Sequence, residues 1–285
     1  MDIYLSLPRF LFPNIFSCMH EKSEEFLNTM LWVMDMFAQP TLRNLTGSFE
    51  EWAYRNGLFR QVYRLEKANL IARNGPTDER IYRVTNAGRL IALGGRDPEE
   101  HWARPWDRSW RLVVFDIPLG REDLRARFRR FLRSAGVGRL QKSVWISPHP
   151  LPALDVELSG TMSELKSLVV FEGRPAGGET GEQIVLAAWD FEKLHKLYSE
   201  HLKTLEQRPT APLKDEAAAK AFRRWMAVER EAWLAAVQAD PLLPEALLPD
   251  RYLGRKAWKA RQQLVPKVAE QLRSFKAPKE PVTKK

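Results

Sequence analysis

The residue best placed to hold a metal is Asp116, in the stretch VVFDIP (Val113 to Pro118). The apolar run reads as a strand, and an acid where a strand surfaces is where many enzymes keep Mg²⁺, a hard cation that prefers carboxylate and water oxygens. Metal-assisted hydrolysis asks for more than one carboxylate. No second acid has motif spacing to Asp116, since Glu122 and Asp123 fall on the following helix. The structural alternative is a cap: an aspartate after a strand can accept backbone N–H bonds in the loop or pair with an arginine. His195 and His201 are six residues apart, not the three or four that put two ligands on one helix face. A single cysteine, Cys18, excludes an internal disulfide or a cysteine-based zinc site and suits a reducing compartment. Neither a G-x-x-x-x-G-K phosphate loop nor a G-x-S-x-G elbow occurs, and the glycines of GVG and PAGGETG lack a strand-to-helix context. The expectation is therefore no catalytic residue and no cofactor, with Asp116 as the one metal candidate.

Basic residues offer a different chemistry. With 45 Lys+Arg against 36 Asp+Glu, the formal charge of +9 over 285 residues favours polyanions. Arg55, Arg60, Gln61, Arg64 and Lys67 lie on or beside one helical segment, with Arg73 and Arg80 flanking the hairpin after it. Arginine can bridge O6 and N7 of guanine, glutamine can pair with adenine, and the outer cations can neutralise phosphates. The alternative is a solvated basic face. A second cluster, Arg121, Arg125, Arg127, Arg129, Arg130 and Arg133, reads as a solvated helix face balancing Glu122 and Asp123.

The elements that must position these residues follow from periodicity. Phe26, Met30, Val33 and Phe37 mark a helix with one buried face. Ser48 and Glu51 have capping-box spacing and Asn56-Gly57 is a break signal, so two helix boundaries stay open there. Val62 and Leu65 fall opposite Gln61 and Arg64 and are expected in the core. Leu70 to Ala72, a turn NGPTDE, and Ile81, Tyr82 and Val84 read as a hairpin. Helices followed by a hairpin are the order of a winged helix-turn-helix. LIALGGRDPEEHWARP reads as a linker.

Beyond it, WRLVVFDI is a predicted strand, and REDLRARFRRFLRSAG a helix with an apolar stripe of Leu124, Phe128, Phe131 and Leu132 and Gly136 as its C-cap. LQKSVWIS, SLVVFEG and EQIVLAAW read as further strands, with a helix within LDVELSGTMSELK. This order predicts a small ferredoxin-like α+β domain. From Asp190 onward the pattern is helical, interrupted by the proline-rich DPLLPEALLPDRYLG. Trp102, Trp106, Trp110, Trp145, Trp189, Trp225, Trp233 and Trp258 are expected as core and domain-interface anchors. The fold class expected is α+β multidomain, divided as an N-terminal extension (1–23), a winged helix (24–95), a linker (96–106), a ferredoxin-like central domain (107–189), a C-terminal helical domain (190–275) and a disordered tail (276–285). No run approaches the roughly 20 apolar residues that span a bilayer. Asp2, Pro8, Arg9 and Pro13 do not suit a signal peptide, which predicts a cytoplasmic protein with no membrane partner.

Three blocks together resemble the PaaX family, bacterial transcriptional regulators typified by the repressor of phenylacetic acid degradation. They are FRQVYRLEKANLI with YRVTNAGR, carrying Thr85-x-x-Gly88; WRLVVFDIP to GRLQKSVWISP; and DPLLPEALLPDRYLGRKAW. Asn69 stands where a glycine is usual, and Tyr252-Leu253-Gly254 where Trp-Pro-Gly is common. The resemblance implies a repressor that binds a double-stranded operator as a homodimer and is released by an aryl-acyl-coenzyme A thioester in phenylacetate catabolism. The effector's phosphates need cations, and Arg125, Arg129 and Arg255 are the candidates. The middle block is also similar to a small CRISPR-associated nuclease in which an aspartate at the matching position helps bind a divalent cation. That leaves a metal-dependent nuclease, or an effector-independent DNA-binding protein, as the alternatives.

Overall fold

The computed structural model describes residues 59–74, 81–151, 167–212 and 216–273. The helix at 24–38, the Ser48–Glu51 box, Arg55, the hairpin tip with Arg80, the helix expected within 152–166 and the C-terminal tail lie outside the described residues. What is described is a mixed α/β protein with a small antiparallel sheet and several helices. The chain divides into two units, one formed around 97–195 with 237–252, the other holding 17–96, 196–236 and 253–285.

In the first unit, α3 (Pro98–Trp102) and β3 (Trp110–Asp116) are followed by α4 (Glu122–Ser134), β4 (Gly138–Arg139), β5 (Val144–Ser147), β6 (Ser167–Gly173) and α5 (Gly181–Ala188). The strands order β4-β5-β3-β6 with every neighbouring pair antiparallel. Val113, Phe115 and Trp145 project from one face of the sheet onto Leu124, Phe128 and Leu132 of α4. Trp110 and Ile146 project from the other onto Val185 and Ala188 of α5 and onto Leu243 and Leu247. Both faces of β3 are covered, which is why its sequence is a continuous apolar run and not an alternating one. The helix α4 has Glu122 and Asp123 in its first turn, where the helix dipole favours them. It ends as expected at Gly136, whose φ of 78° lets the amides of Gly136 and Val137 bond the carbonyls of Arg133 and Leu132.

Three expectations need correction. EQIVLAAW is not a strand but the helix α5: Thr180 Oγ1 accepts from Gln183 N at 3.2 Å and Gln183 Oε1 from Thr180 N at 2.9 Å. This reciprocal cap satisfies two free donors at the helix start, and the burial of Val185 and Ala188 three residues apart outweighs the strand preference of Ile184 and Val185. LQKSVWIS is strand only from Val144 to Ser147, because β4 and the turn after it fold back on β5 through the Val144 carbonyl, which accepts from Leu140 N and Gln141 N. Within the expected linker, residues 98–102 form α3, capped by Asp97 and anchored by buried Trp102. Thr180→Ala is expected to lower stability by about 1 kcal/mol, the usual worth of an N-cap. A shift of the urea midpoint without a change in slope checks it.

In the second unit, α1 (Phe59–Lys67), β1 (Ile71–Asn74), β2 (Ile81–Val84) and α2 (Asn86–Ala92) run in immediate succession. Most of α6 (Phe191–Glu206) and of α7 (Glu216–Ala239), with α8 (Gly254–Arg273), belong to the same unit. Leu205 of α6, Phe222, Trp225 and Met226 of α7 and Val268 of α8 share one core. The proline-rich stretch between α7 and α8 holds a single 3-10 turn, Glu245–Leu247.

Candidate functional site

Helix α1 carries Arg60, Gln61, Arg64 and Lys67, and β1 carries Arg73. Leu65 is buried, as its spacing predicts, while Tyr63, Arg64 and Lys67 are exposed. Local bonding fixes how this helix meets the hairpin. Asn69 takes φ 56°, and the amides of Asn69 and Leu70 bond the carbonyls of Glu66 and Leu65 at 2.9 Å each. This double bond at a helix end needs a left-handed residue, which asparagine supplies where glycine is usual. Strand β1 pairs with β2 from Ile71↔Val84 to Asn74↔Ile81. Thr85 then closes the unit: its Oγ1 accepts from Gly88 N at 3.0 Å, capping α2, and donates to Asn69 O at 2.7 Å. A Cβ on Gly88 would stand 2.0 Å from Leu70 O, so the Thr85-x-x-Gly88 pair is what lets α2 lie against the end of α1.

In the central unit the second arginine cluster is largely engaged. Arg125 pairs with Glu122 and donates to Ile117 O at 3.0 Å. Arg129 donates to Lys142 O at 3.3 Å, and Arg133 lies over the Trp145 ring at 5.8 Å. Arg127 and Arg130 are exposed, as is Arg255 on α8. Asp116 is exposed at the end of β3 and holds a polar interaction within the chain. No group of three or more potential metal ligands occurs among the described residues.

Two polar centres have pairings that the sequence analysis did not anticipate. The first is Arg111, buried on β3, which donates to Asp107 Oδ1 at 2.9 Å, Pro148 O at 3.0 Å and Glu172 Oε1 at 3.0 Å. The Arg111 hydrogen bond, with the Ser109 amide, holds the Asp107 carboxyl down at about 2. Burial, with Arg104 and Arg111, lowers nearby His149 to about 4, keeping it neutral at physiological pH. The second is Glu229 on α7, whose Oε1 lies 3.0 Å from His201 Nε2 of α6 and accepts from Arg261 Nε of α8 at 2.8 Å. Burial works against ionisation of Glu229, but Arg261 and His201 outweigh it and hold the carboxyl below its ordinary range. Trp233 completes this centre, with His201 and Trp258 rings each at 5.3 Å and the Arg261 guanidinium at 5.3 Å.

The proline-rich stretch is clamped by its own acid. Asp240 Oδ1 accepts from Leu242 N at 2.8 Å and Oδ2 from Tyr252 OH at 2.5 Å. Tyr252 OH in turn accepts from Trp102 Nε1 at 3.1 Å. Tyr252 thus ties both ends of the segment.

This segment and the sheet are what domain comparisons pick out. Residues 103–185 match the PaaX protein central Cas2-like domain, and residues 189–277 the PaaX-like protein C-terminal domain. The chain belongs to the PaaX family. The resemblance carried by its central and C-terminal residue blocks is thereby shown. Comparison with curated proteins finds no match. Among solved structures, the uncharacterized protein Rv0674 from Mycobacterium tuberculosis is similar at 21% identity and a TM-score of 0.50, covering 86% of this chain and 95% of that one. That likeness concerns the fold alone. No described helix is long and apolar enough to cross a membrane.

Proposed function

We propose that this PaaX-family chain is a sequence-specific regulator of transcription, a repressor that binds a double-stranded operator as a homodimer. The observation that carries the reading is the succession of both PaaX domains, 103–185 and 189–277, after the unit α1-β1-β2-α2. In this reading α1 and the hairpin are the second half of a winged helix-turn-helix. Arg60, Gln61 and Arg64 face base edges, and Lys67, Arg55, Arg73 and Arg80 neutralise phosphates. The exposure of Arg64 and Lys67 on the side away from buried Leu65 supports that orientation. The antiparallel strand order β6-β3-β5-β4 supports a ferredoxin-like central domain.

An effector such as an aryl-acyl-coenzyme A thioester releases the DNA if it binds the arrangement that cannot grip the operator more tightly than the one that can. Of the three candidate arginines for its phosphates, Arg125 and Arg129 donate to carbonyl oxygens of their own unit, and Arg255 is exposed on the first turn of α8. No step breaks a covalent bond, and the protein works in the cytoplasm.

A gel-shift titration with operator DNA tests the reading. Arg60→Ala and Arg64→Ala are each expected to cost about 1–3 kcal/mol of operator binding, with unchanged circular dichroism. Unchanged affinity in both variants overturns the assignment of α1. The same DNA is expected to stay intact with Mg²⁺; cleavage that Asp116→Ala abolishes would instead establish a nuclease.

A further inference from the structure

The stretch from Leu124 to Leu154 contains seven cations and no acidic residue. Glu122 and Asp123, the acids of α4, stand in its first turn and pair there with Arg125 and Arg121. Beyond them the helix leaves Arg127, Arg130 and Arg133 exposed, and β4 and the turn after it add exposed Arg139 and Lys142. Two contacts hold helix and turn together. Arg129 donates to Lys142 O at 3.3 Å, and Arg133 lies over the Trp145 ring at 5.8 Å. Arg139 is the register partner of Trp145, and directly opposed strand residues share a face, so Arg133 and Arg139 flank the same ring. Among the described residues no carboxylate pairs with any of the five exposed cations.

We propose that this face, the C-terminal part of α4 with the turn between β4 and β5, grips the phosphate backbone of duplex DNA as a second contact apart from the basic helix α1. The inference rests on the regulator reading above and adds a contact that reads no sequence. The chemistry of the face selects its occupant. Four of the five cations are arginines, whose planar forks match phosphate oxygens. They are strung out and do not converge: Arg127 to Arg133 alone span about 9 Å of helix axis, which suits a row of phosphates. No large apolar side chain is exposed on α4, on β4 or in the turn. The face therefore lacks both the aromatic platforms on which single strands stack and the apolar side that a membrane-surface helix inserts.

The test titrates the full chain against an operator duplex and an unrelated duplex of equal length, from about 50 to 200 mM salt. Arg130→Gln, Arg139→Gln and Lys142→Gln combined are expected to weaken both duplexes by the same factor, at least about tenfold, with unchanged circular dichroism. The slope of log affinity against log salt should flatten by about 2–3 per bound chain, since each phosphate contact contributes about 0.9. Lys193→Gln, Lys196→Gln and Lys203→Gln, at exposed sites of α6, remove the same charge and should move the slope by less than about 1. Equal slopes in the two triple variants, a wild-type slope in the first, or a loss confined to anionic-lipid vesicles or to coenzyme A would each overturn the proposal. Failure of the regulator reading looks different. If the chain prefers no sequence and the first triple variant still flattens the slope, the regulator falls and the backbone contact stands. If Arg60→Ala and Arg64→Ala abolish operator preference while that triple variant binds as wild type does, the contact falls and the regulator stands.

Discussion

Glu229→Ala is expected to lower the unfolding free energy by about 3–5 kcal/mol, the cost of removing one partner from a fully buried ion pair. Glu229 and His201 are both 0% exposed and Arg261 is 5% exposed, so the variant removes a buried carboxylate that Arg261 Nε bonds at 2.8 Å beside the Trp233 ring. A urea midpoint that falls steeply with an unchanged slope, at neutral pH, would establish this. The sign with pH follows from the lowered folded pKa of Glu229. Its contribution is present above the ordinary value of 4.5 and is lost as pH falls through the lower folded value, so the difference between wild type and variant should shrink on acidification. A double variant, Glu229→Leu with Arg261→Met, should recover much of the loss, since apolar replacement of a whole buried pair is often close to neutral. If the double variant is no better than the single one, the packing of α7 and not the broken ion pair sets the cost.

Gly88→Ala is expected to cost about 3 kcal/mol and, in the proposed role, to abolish operator binding with it. The added methyl would stand 2.0 Å from the Leu70 carbonyl oxygen and 2.9 Å from its carbon and from Val84 Cγ1. Most overpacking is relieved by a rotating side chain, at about 1–3 kcal/mol. Here the obstacle is backbone: the Leu70 carbonyl accepts from Thr85 N at 3.0 Å, and the Leu70 amide closes α1 on Leu65. Moving it would break one or both bonds, which connect the basic helix to the hairpin. Faster amide exchange in β1, β2 and α2, with exchange in β3 to β6 unchanged, checks the effect. Gly173→Ala is the control, because nothing lies within 4 Å of its added Cβ, and it should change stability by less than about 0.5 kcal/mol.

Much of the fold is legible in the residues alone. The stripe Leu124, Phe128 and Leu132, the Gly136 cap, the hairpin after α1 and the continuous apolar run of β3 all emerge as expected, because each depends on residues within a few positions of one another. The exposure of Arg64 and the burial of Leu65 have the same origin. Where two local signals compete, as in EQIVLAAW, the strand preference of Ile184 and Val185 is the louder one, yet the quieter Thr180–Gln183 spacing decides the outcome. Even the buried charges leave a trace. Glu229 lies on a stripe with Phe222, Trp225, Met226, Trp233, Ala236 and Val237, and His201 on one with Leu194, Tyr198 and Leu205, so each stands where only a paired polar residue survives burial.

By itself, then, the sequence determined most of the elements, the basic helix and the family, because helix and strand periods, caps and turn residues are written in neighbouring positions. Only the tertiary structure decided which charges answer one another. Glu229 finds His201 and Arg261 at separations of 28 and 32 residues, and Arg111 finds Glu172 at 61. Those pairings depend on how three helices pack and on the register of β3 with β6. A charge leaves water only when the packing that buries it also delivers its partner.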